Sequence, residues 1–283
     1  MTIRTTIGML AVVAAGVGLT GGPVSAQDLK VALAAEPTSM DPHYQNLTIN
    51  NSMATQVYDA LVLQDVNQKL VPGLAQSWKP VNDTTWEFKM REGVTFHDGT
   101  PFTANDVARN ITGWCDKSVE GNSMAGRFAT LIDEDSGQAI EGAITVVDDH
   151  TVKLSLPRPD ITLIPGMADY PAAIVPEGFD PETMLDNPVG TGAYLPESVE
   201  VGIKAVLVKN PDHTWWGTEV YGGPYIDRLE YIDYGTDPSA FVAAAEAAEI
   251  DATYSIEGEF IDVFSTLDGW NQNEIATGAT IVI

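Results

Sequence analysis

Between Trp86 and Val107 the spacing of apolar residues changes from that of a strand to that of a helix across one tight turn, and this change limits what the chain can become. Trp86, Phe88 and Met90 occupy alternate positions, so one side of a strand is apolar. A turn pair, Asn82-Asp83, precedes them and lets the stretch from Trp78 pair back as a neighbouring strand. Beyond the strand, Asp98-Gly99 supplies a tight turn in which Gly99 tolerates positive φ, with Phe96 and Phe102 anchoring it to a core. Thr103 followed by Asp106 three residues later resembles a capping box and starts a helix that runs to about Trp114. His97 and Asp98 invite an acid–base reading, but no third catalytic partner is close in sequence, so the run reads as architecture.

The same mixture continues on both sides. Leu29 to Ala34 alternates as a first strand, and Glu36-Pro37-Thr38-Ser39-Met40-Asp41-Pro42 then forces an extended loop. Ile49, Met53, Val57 and Ala60 fit one helix face, and Leu61 to Asp65 with Lys69 to Val71 forms a hairpin. Asp148-Asp149-His150 divides a further hairpin, Ala143 to Val147 and Val152 to Leu156. Strands are expected at Ala193 to Val199, Ile203 to Lys209 and Ile226 to Asp233, then a helix over Pro238 to Ala248 and a short strand at Asp251 to Tyr254. The fold class is therefore α/β. Trp215-Trp216-Gly217, following Asn210-Pro211, reads as core packing in preference to ligand stacking.

The first 26 residues have the form of a cleavable export signal. Arg4 is their one charge, Ile7 to Leu19 is uncharged and apolar, and small residues end at Ala26 before Gln27. That apolar stretch is shorter than the roughly 20 residues needed to span a bilayer. No cysteine stands at the expected cleavage point for a lipid anchor, and the lone Cys115 can make no intramolecular disulfide, so it reads as a small buried apolar residue. With 40 Asp plus Glu against 14 Lys plus Arg, the formal net charge of −26 argues against nucleic acid or an anionic membrane surface as partner.

Motifs for other chemistries fail on position or spacing. A G-x-G-x-x-G occurs at Gly16, Gly18 and Gly21, inside the leader, and there is no Walker A loop, G-x-S-x-G elbow or H-E-x-x-H helix. His43, His97, His150 and His213 are too dispersed for a local chelating pair, and Asp133-Glu134-Asp135-Ser136-Gly137 lacks the spacing of a calcium loop. No metal or cofactor is expected.

The run from Trp86 to Val107, which contains Phe96-His97-Asp98-Gly99-Thr100-Pro101-Phe102, and a second run, Asn187-Pro188-Val189-Gly190-Thr191-Gly192-Ala193-Tyr194, together resemble extracellular solute-binding proteins of family 5. These are the oligopeptide, dipeptide and nickel type, which deliver ligands to ABC importers. In the second run Pro188 fixes the chain direction, while Gly190 and Gly192 permit close backbone approach at a bend. The alanine-rich helix and short strand near Asp251 also sit as in relatives, although Glu249-Ile250-Asp251 replaces the usual glycine-aspartate.

The resemblance implies a periplasmic-binding-protein-like type II fold: a first lobe from residues 27–50 and 183–283, a small inserted α/β domain at 51–182, and a second lobe largely missing. On that basis the apolar Ile281 to Ile283 stretch is expected to open a lobe that the chain does not complete. It also implies a monomer in the periplasm with a small-molecule or peptide ligand and ABC permease subunits as partners. Ligand contacts would come from two loops, represented by Met40, Asp41, Pro42, His43 and Tyr44 and by Met167-Ala168-Asp169-Tyr170. Tyr44 and Tyr170 would offer flat faces, and Asp169 would accept a ligand ammonium or guanidinium. Two rivals follow from the residues alone: a secreted hydrolase with dispersed catalytic groups, and an exported structural or adhesive domain.

Overall fold

The apolar run Val31-Ala32-Leu33 suits the first strand to a place inside a sheet covered on both faces. The computed structural model describes residues 27–34, 42–43, 48–256 and 258–273. The expected leader and the Ile281 to Ile283 stretch lie outside the described residues. The chain begins with β1 (Asp28–Leu33), α1 (Thr48–Val57), β2 (Val62–Gln64) and β3 (Leu70–Pro72). Next come β4 (Ala75–Asn82), β5 (Thr85–Met90), α2 (Ala104–Trp114), β6 (Ile144–Asp148), β7 (Thr151–Ser155) and the single turn α3 (Leu163–Gly166). It continues through β8 (Tyr194–Glu200), β9 (Lys204–Lys209), α4 (Thr218–Tyr221), β10 (Arg228–Asp233), α5 (Pro238–Glu246), β11 (Ala252–Thr253) and α6 (Phe260–Ser265).

A five-stranded sheet has the order β11-β1-β10-β9-β8. In it β1 runs parallel to both β10 and β11, while β10, β9 and β8 are antiparallel neighbours. Val31 and Leu33 face Met53, Val57, Tyr58, Leu207 and Leu229. Ala32, between them, faces Phe241, Ala244, Ile250 and Phe264 on the opposite side. A strand buried on both faces reads as an apolar run, as Val31-Ala32-Leu33 does.

The second sheet is antiparallel, in the order β4-β5-β7-β6. Helix α2 lies on it with Ala104, Val107, Ile111 and Trp114 buried at helical spacing against Phe88, Met90, Val152 and Leu154. The start of α2 is fixed by Asp106, whose carboxylate accepts the Thr103 backbone N–H at 2.9 Å and its hydroxyl at 3.0 Å. Gly99 takes φ +84°, as the turn requires.

Between the two cores runs the extended segment 172–175. Ala172 and Ile174 belong to the core of the four-stranded sheet, and Ala173 and Val175 to that of the five-stranded sheet. Its backbone is held from both sides. The buried Asn110 side chain donates to the Val175 carbonyl at 2.9 Å and accepts its N–H at 3.1 Å, and Ile174 donates to the Asp59 carbonyl at 2.9 Å. Short helices α3, α4 and α6 were not expected from the sequence; one or two turns show too few repeats for a periodic signal.

Candidate functional site

The two sequence runs that carry the resemblance meet in space, and His97 joins them. Its backbone N–H donates to the Gly190 carbonyl at 2.9 Å, its Nδ1 lies 3.2 Å from the Gly190 N–H, and its Nε2 lies 2.7 Å from the Gly192 carbonyl. These partners assign a neutral ring that accepts at Nδ1 and donates at Nε2. Burial holds its pKa below the usual value, in agreement with that neutral form. His213 packs edge-on against it at 4.9 Å and is also shifted down by burial.

The glycines flanking Thr191 are dictated by contact with the end of α1. A Cβ on Gly190 would lie 2.0 Å from the Val57 carbonyl oxygen, and one on Gly192 would lie 2.3 Å from that of Gln56. The Gly192 N–H uses this proximity, donating to the Val57 carbonyl at 2.9 Å.

Beside this joint lies a buried carboxylate that the sequence reading missed. Asp59 accepts the Thr191 hydroxyl at 2.8 Å, the Trp216 indole N–H at 2.7 Å and, at 3.4 Å, that of Trp215. Burial pushes its pKa up, and the three donors offset only part of that rise. Trp215 and Trp216 therefore serve the packed joint, Trp216 also lying under the Arg91 guanidinium at 4.6 Å. An acid within the apolar stretch Val57-Tyr58-Asp59-Ala60-Leu61 was the available signal.

The expected ligand loops fall partly within the described residues. Met40, Asp41 and Tyr44 lie outside the described residues. His43 is half-buried, with Nε2 at 3.0 Å from the Ala173 carbonyl and 3.5 Å from the Trp114 indole nitrogen. The shorter contact favours the tautomer that donates to Ala173. Trp114 and Phe179 meet its ring edge-on, at centroid distances of 6.5 and 6.0 Å. These rings, Arg109 and Asn110 border a groove of about 290 Å³ between α2 and residues 175–179.

Asp169 and Tyr170 stand on the neighbouring stretch, tied to His43 through Ser123. The Ser123 hydroxyl contacts the His43 carbonyl at 3.4 Å, and the Ser123 carbonyl accepts Arg127 Nη1 at 2.6 Å. Arg127 Nε in turn donates to Asp169 Oδ2, and its guanidinium lies over the Tyr170 ring at 5.4 Å. The guanidinium beside Asp169 thus belongs to the chain itself. Arg127 and Ser123 were missed because their partners are distant in sequence.

Among the described residues no group of three or more His, Cys, Asp or Glu side chains is placed to hold a metal ion, and no helix is long and apolar enough to cross a membrane. Cys115 is fully buried, and burial raises its thiol pKa to about 12.

The fold is a mixed α/β body whose two larger sheets are joined by the glycine-rich clasp, with β2 and β3 forming a third, two-stranded sheet. It is similar to the Escherichia coli murein tripeptide-binding protein MppA, with a TM-score of 0.73 at 24% identity over 87% of this chain and 49% of that one. In sequence it is 25% identical over 252 residues to the periplasmic oligopeptide-binding protein OppA of Salmonella typhimurium, covering 85% of this chain and 45% of that protein. Its identity to the E. coli periplasmic murein peptide-binding protein MppA is 30% over 244 residues, 81% of this chain and 43% of that protein. The chain therefore spans a little under half the length of these curated relatives. Residues 69–283 match the family described as bacterial extracellular solute-binding proteins, family 5 Middle, and the chain belongs to that family.

Proposed function

We propose that the whole protein is the periplasmic substrate-binding component of an ABC importer, capturing a peptide and delivering it to permease subunits in the inner membrane. It acts as an exported monomer, catalyses no reaction and uses no cofactor. Membership of the solute-binding family over residues 69–283 carries this reading, and the peptide-binding names of its relatives support the ligand class. Nothing in the family favours a hydrolase or an adhesive domain.

In this reading residues 27–50 and 183–283 build one lobe and 51–182 a smaller inserted domain. The end of α1 and alternate residues of 172–175 pack on the first lobe and make the boundary a shared core. Met40, Asp41, His43, Tyr44 and Tyr170 line the ligand cleft, and Asp169 acts there through Arg127. A second wall comes from sequence that the relatives possess and this stretch does not span. Ligand closes the two walls because it has more contacts in the closed form than in the open one.

Native purification of the full-length protein followed by mass spectrometry of what it carries, with calorimetry against a peptide pool, tests the proposal. A bound peptide supports it. A full-length protein that carries no solute and binds none of the pool refutes it. Residues 27–283 alone should bind far more weakly than the full-length protein, and equal affinities would contradict the two-wall mechanism.

A further inference from the structure

Arg127 is held on three sides and open on the fourth. Its Nε donates to Asp169 Oδ2, its Nη1 to the Ser123 carbonyl at 2.6 Å, and its plane lies over Tyr170 with the guanidinium carbon 5.4 Å from the ring centroid. Asp169 is itself fixed, because its Oδ1 accepts the Tyr170 backbone N–H at 2.8 Å. The backbone beneath is anchored in the core by Met124 and Phe128 on one side of the contact and by Met167 and Ala172 on the other.

A guanidinium carries five N–H donors. Two are used here, and the Nη2 end has no partner among the described residues. The Arg127 side chain remains 26% exposed and that of Asp169 39% exposed, so the unit reaches solvent. Its rotameric freedom is already lost to Asp169, Ser123 and Tyr170, which lowers the ordering cost of a further contact. A planar, pre-positioned pair of N–H groups fits a carboxylate better than any neutral group. On a chain of net charge −26, an anionic solute also requires a local cation of this kind.

We propose that Arg127 binds a carboxylate of the captured solute through its open Nη1 and Nη2 edge, with Asp169, Ser123 and Tyr170 as its positioning residues. This rests on the solute-binding reading above and makes the captured class carboxylate-bearing solutes. It also reverses the role expected of Asp169, which orients the arginine and leaves the ligand's charge to be read by Arg127.

The test uses the full-length mature protein and calorimetry with three synthetic tripeptide pools: neutral side chains with free C-termini, the same peptides as C-terminal amides, and amides carrying one Glu. The wild type is expected to bind one carboxylate-bearing pool ten- to a hundredfold more tightly than the neutral amides, the order of magnitude for a charge-assisted hydrogen-bonded pair. Preference for the first pool identifies a peptide C-terminus, and preference for the third a side-chain carboxylate. Arg127→Gln should bring that ratio to about one while leaving thermal unfolding cooperative. If Arg127→Gln does not fold, Arg127→Lys, which keeps the charge without the planar fork, should reduce the ratio about tenfold. Binding of all three pools with equal affinity, or a ratio unchanged in the variant that folds, overturns the carboxylate assignment alone. Failure of the wild type to bind any pool overturns the solute-binding reading and this proposal together.

Discussion

Gly190→Ala should be the most damaging small substitution in the clasp, and the size of the effect follows from the backbone around it. The added Cβ would lie 2.0 Å from the Val57 carbonyl oxygen, 2.8 Å from the carbonyl carbon and 2.9 Å from Tyr58 Cδ1. The first distance falls about 1.4 Å short of an ordinary 3.4 Å contact, and the obstacle is backbone. Val57 cannot retreat freely, because its carbonyl also accepts the Gly192 N–H at 2.9 Å. Either α1 or the 188–192 bend must move, and moving the bend breaks the His97 contacts to Gly190 and Gly192. Overpacking costs about 1–3 kcal/mol, and each hydrogen bond lost about 1 kcal/mol. A loss of about 3–4 kcal/mol is expected, on the order of a 10 °C fall in Tm for a protein of this size. Gly113→Ala is the control: the residue is exposed in α2, and a Cβ there meets nothing within 4 Å. It should raise stability by up to about 1 kcal/mol, the helix preference of alanine over glycine. Urea unfolding followed by tryptophan fluorescence measures both. If Gly190→Ala unfolds at the wild-type midpoint, the close approach of bend and helix is not what makes this position glycine.

Acidification should weaken the same joint. His97 and His213 have folded pKa values below 6.5, so the unfolded chain binds more protons. Their stabilising contribution is complete above about pH 6.5 and is lost as pH falls toward the folded values. Urea midpoints across pH 7.5 to 4.5 should drop over this range, and His97→Gln should reduce the slope; an unchanged slope would exclude His97 as a contributor. Asn110→Ala removes both bonds to Val175; the carbonyl keeps the Arg109 Nη2 donor at 2.9 Å, but the buried Val175 N–H loses its acceptor, so a loss of about 1–3 kcal/mol is expected by urea unfolding. Asp59→Ala leaves the Trp216 and Trp215 indole donors and the Thr191 hydroxyl without their acceptor and should cost about 3 kcal/mol, with a changed tryptophan emission in the folded state. Cys115 is buried, and its thiol titrates near pH 12, so a thiol-reactive chromogenic reagent should label it only after denaturant is added. Rapid labelling of the native protein would contradict its burial.

What the sequence revealed, and what it did not, divides according to the distance between partners. Strands β5, β7 and β10 were readable because a buried face repeats every second residue, β1 and β9 because each holds a short apolar run, and α2 because its capping acid and apolar stripe both lie within one helix. Segment 172–175 was not assigned: its residues alternate between two different cores, so in sequence the stretch is uniformly apolar and shows no period. Asp59 looked like one more acid in an acidic chain, since its three donors come from residues more than 130 positions away. The two glycines at 190 and 192 were correctly read as sites of close approach, yet only the fold shows that α1 is what approaches.

The candidate site shows the same division most sharply. Asp169 and Tyr170 could be picked out from their loop, whereas Arg127, 42 residues earlier, had no local feature to mark it. A carboxylate read in isolation appears to invite a cation from outside. Once Arg127 is seen to occupy it, the polarity of the wall changes: the acid is satisfied within the chain, and the group left with open donors is the arginine. A chain so rich in acid that any one carboxylate means little is thus better read through its few fixed cations, because each of those must have been placed against the field of the rest.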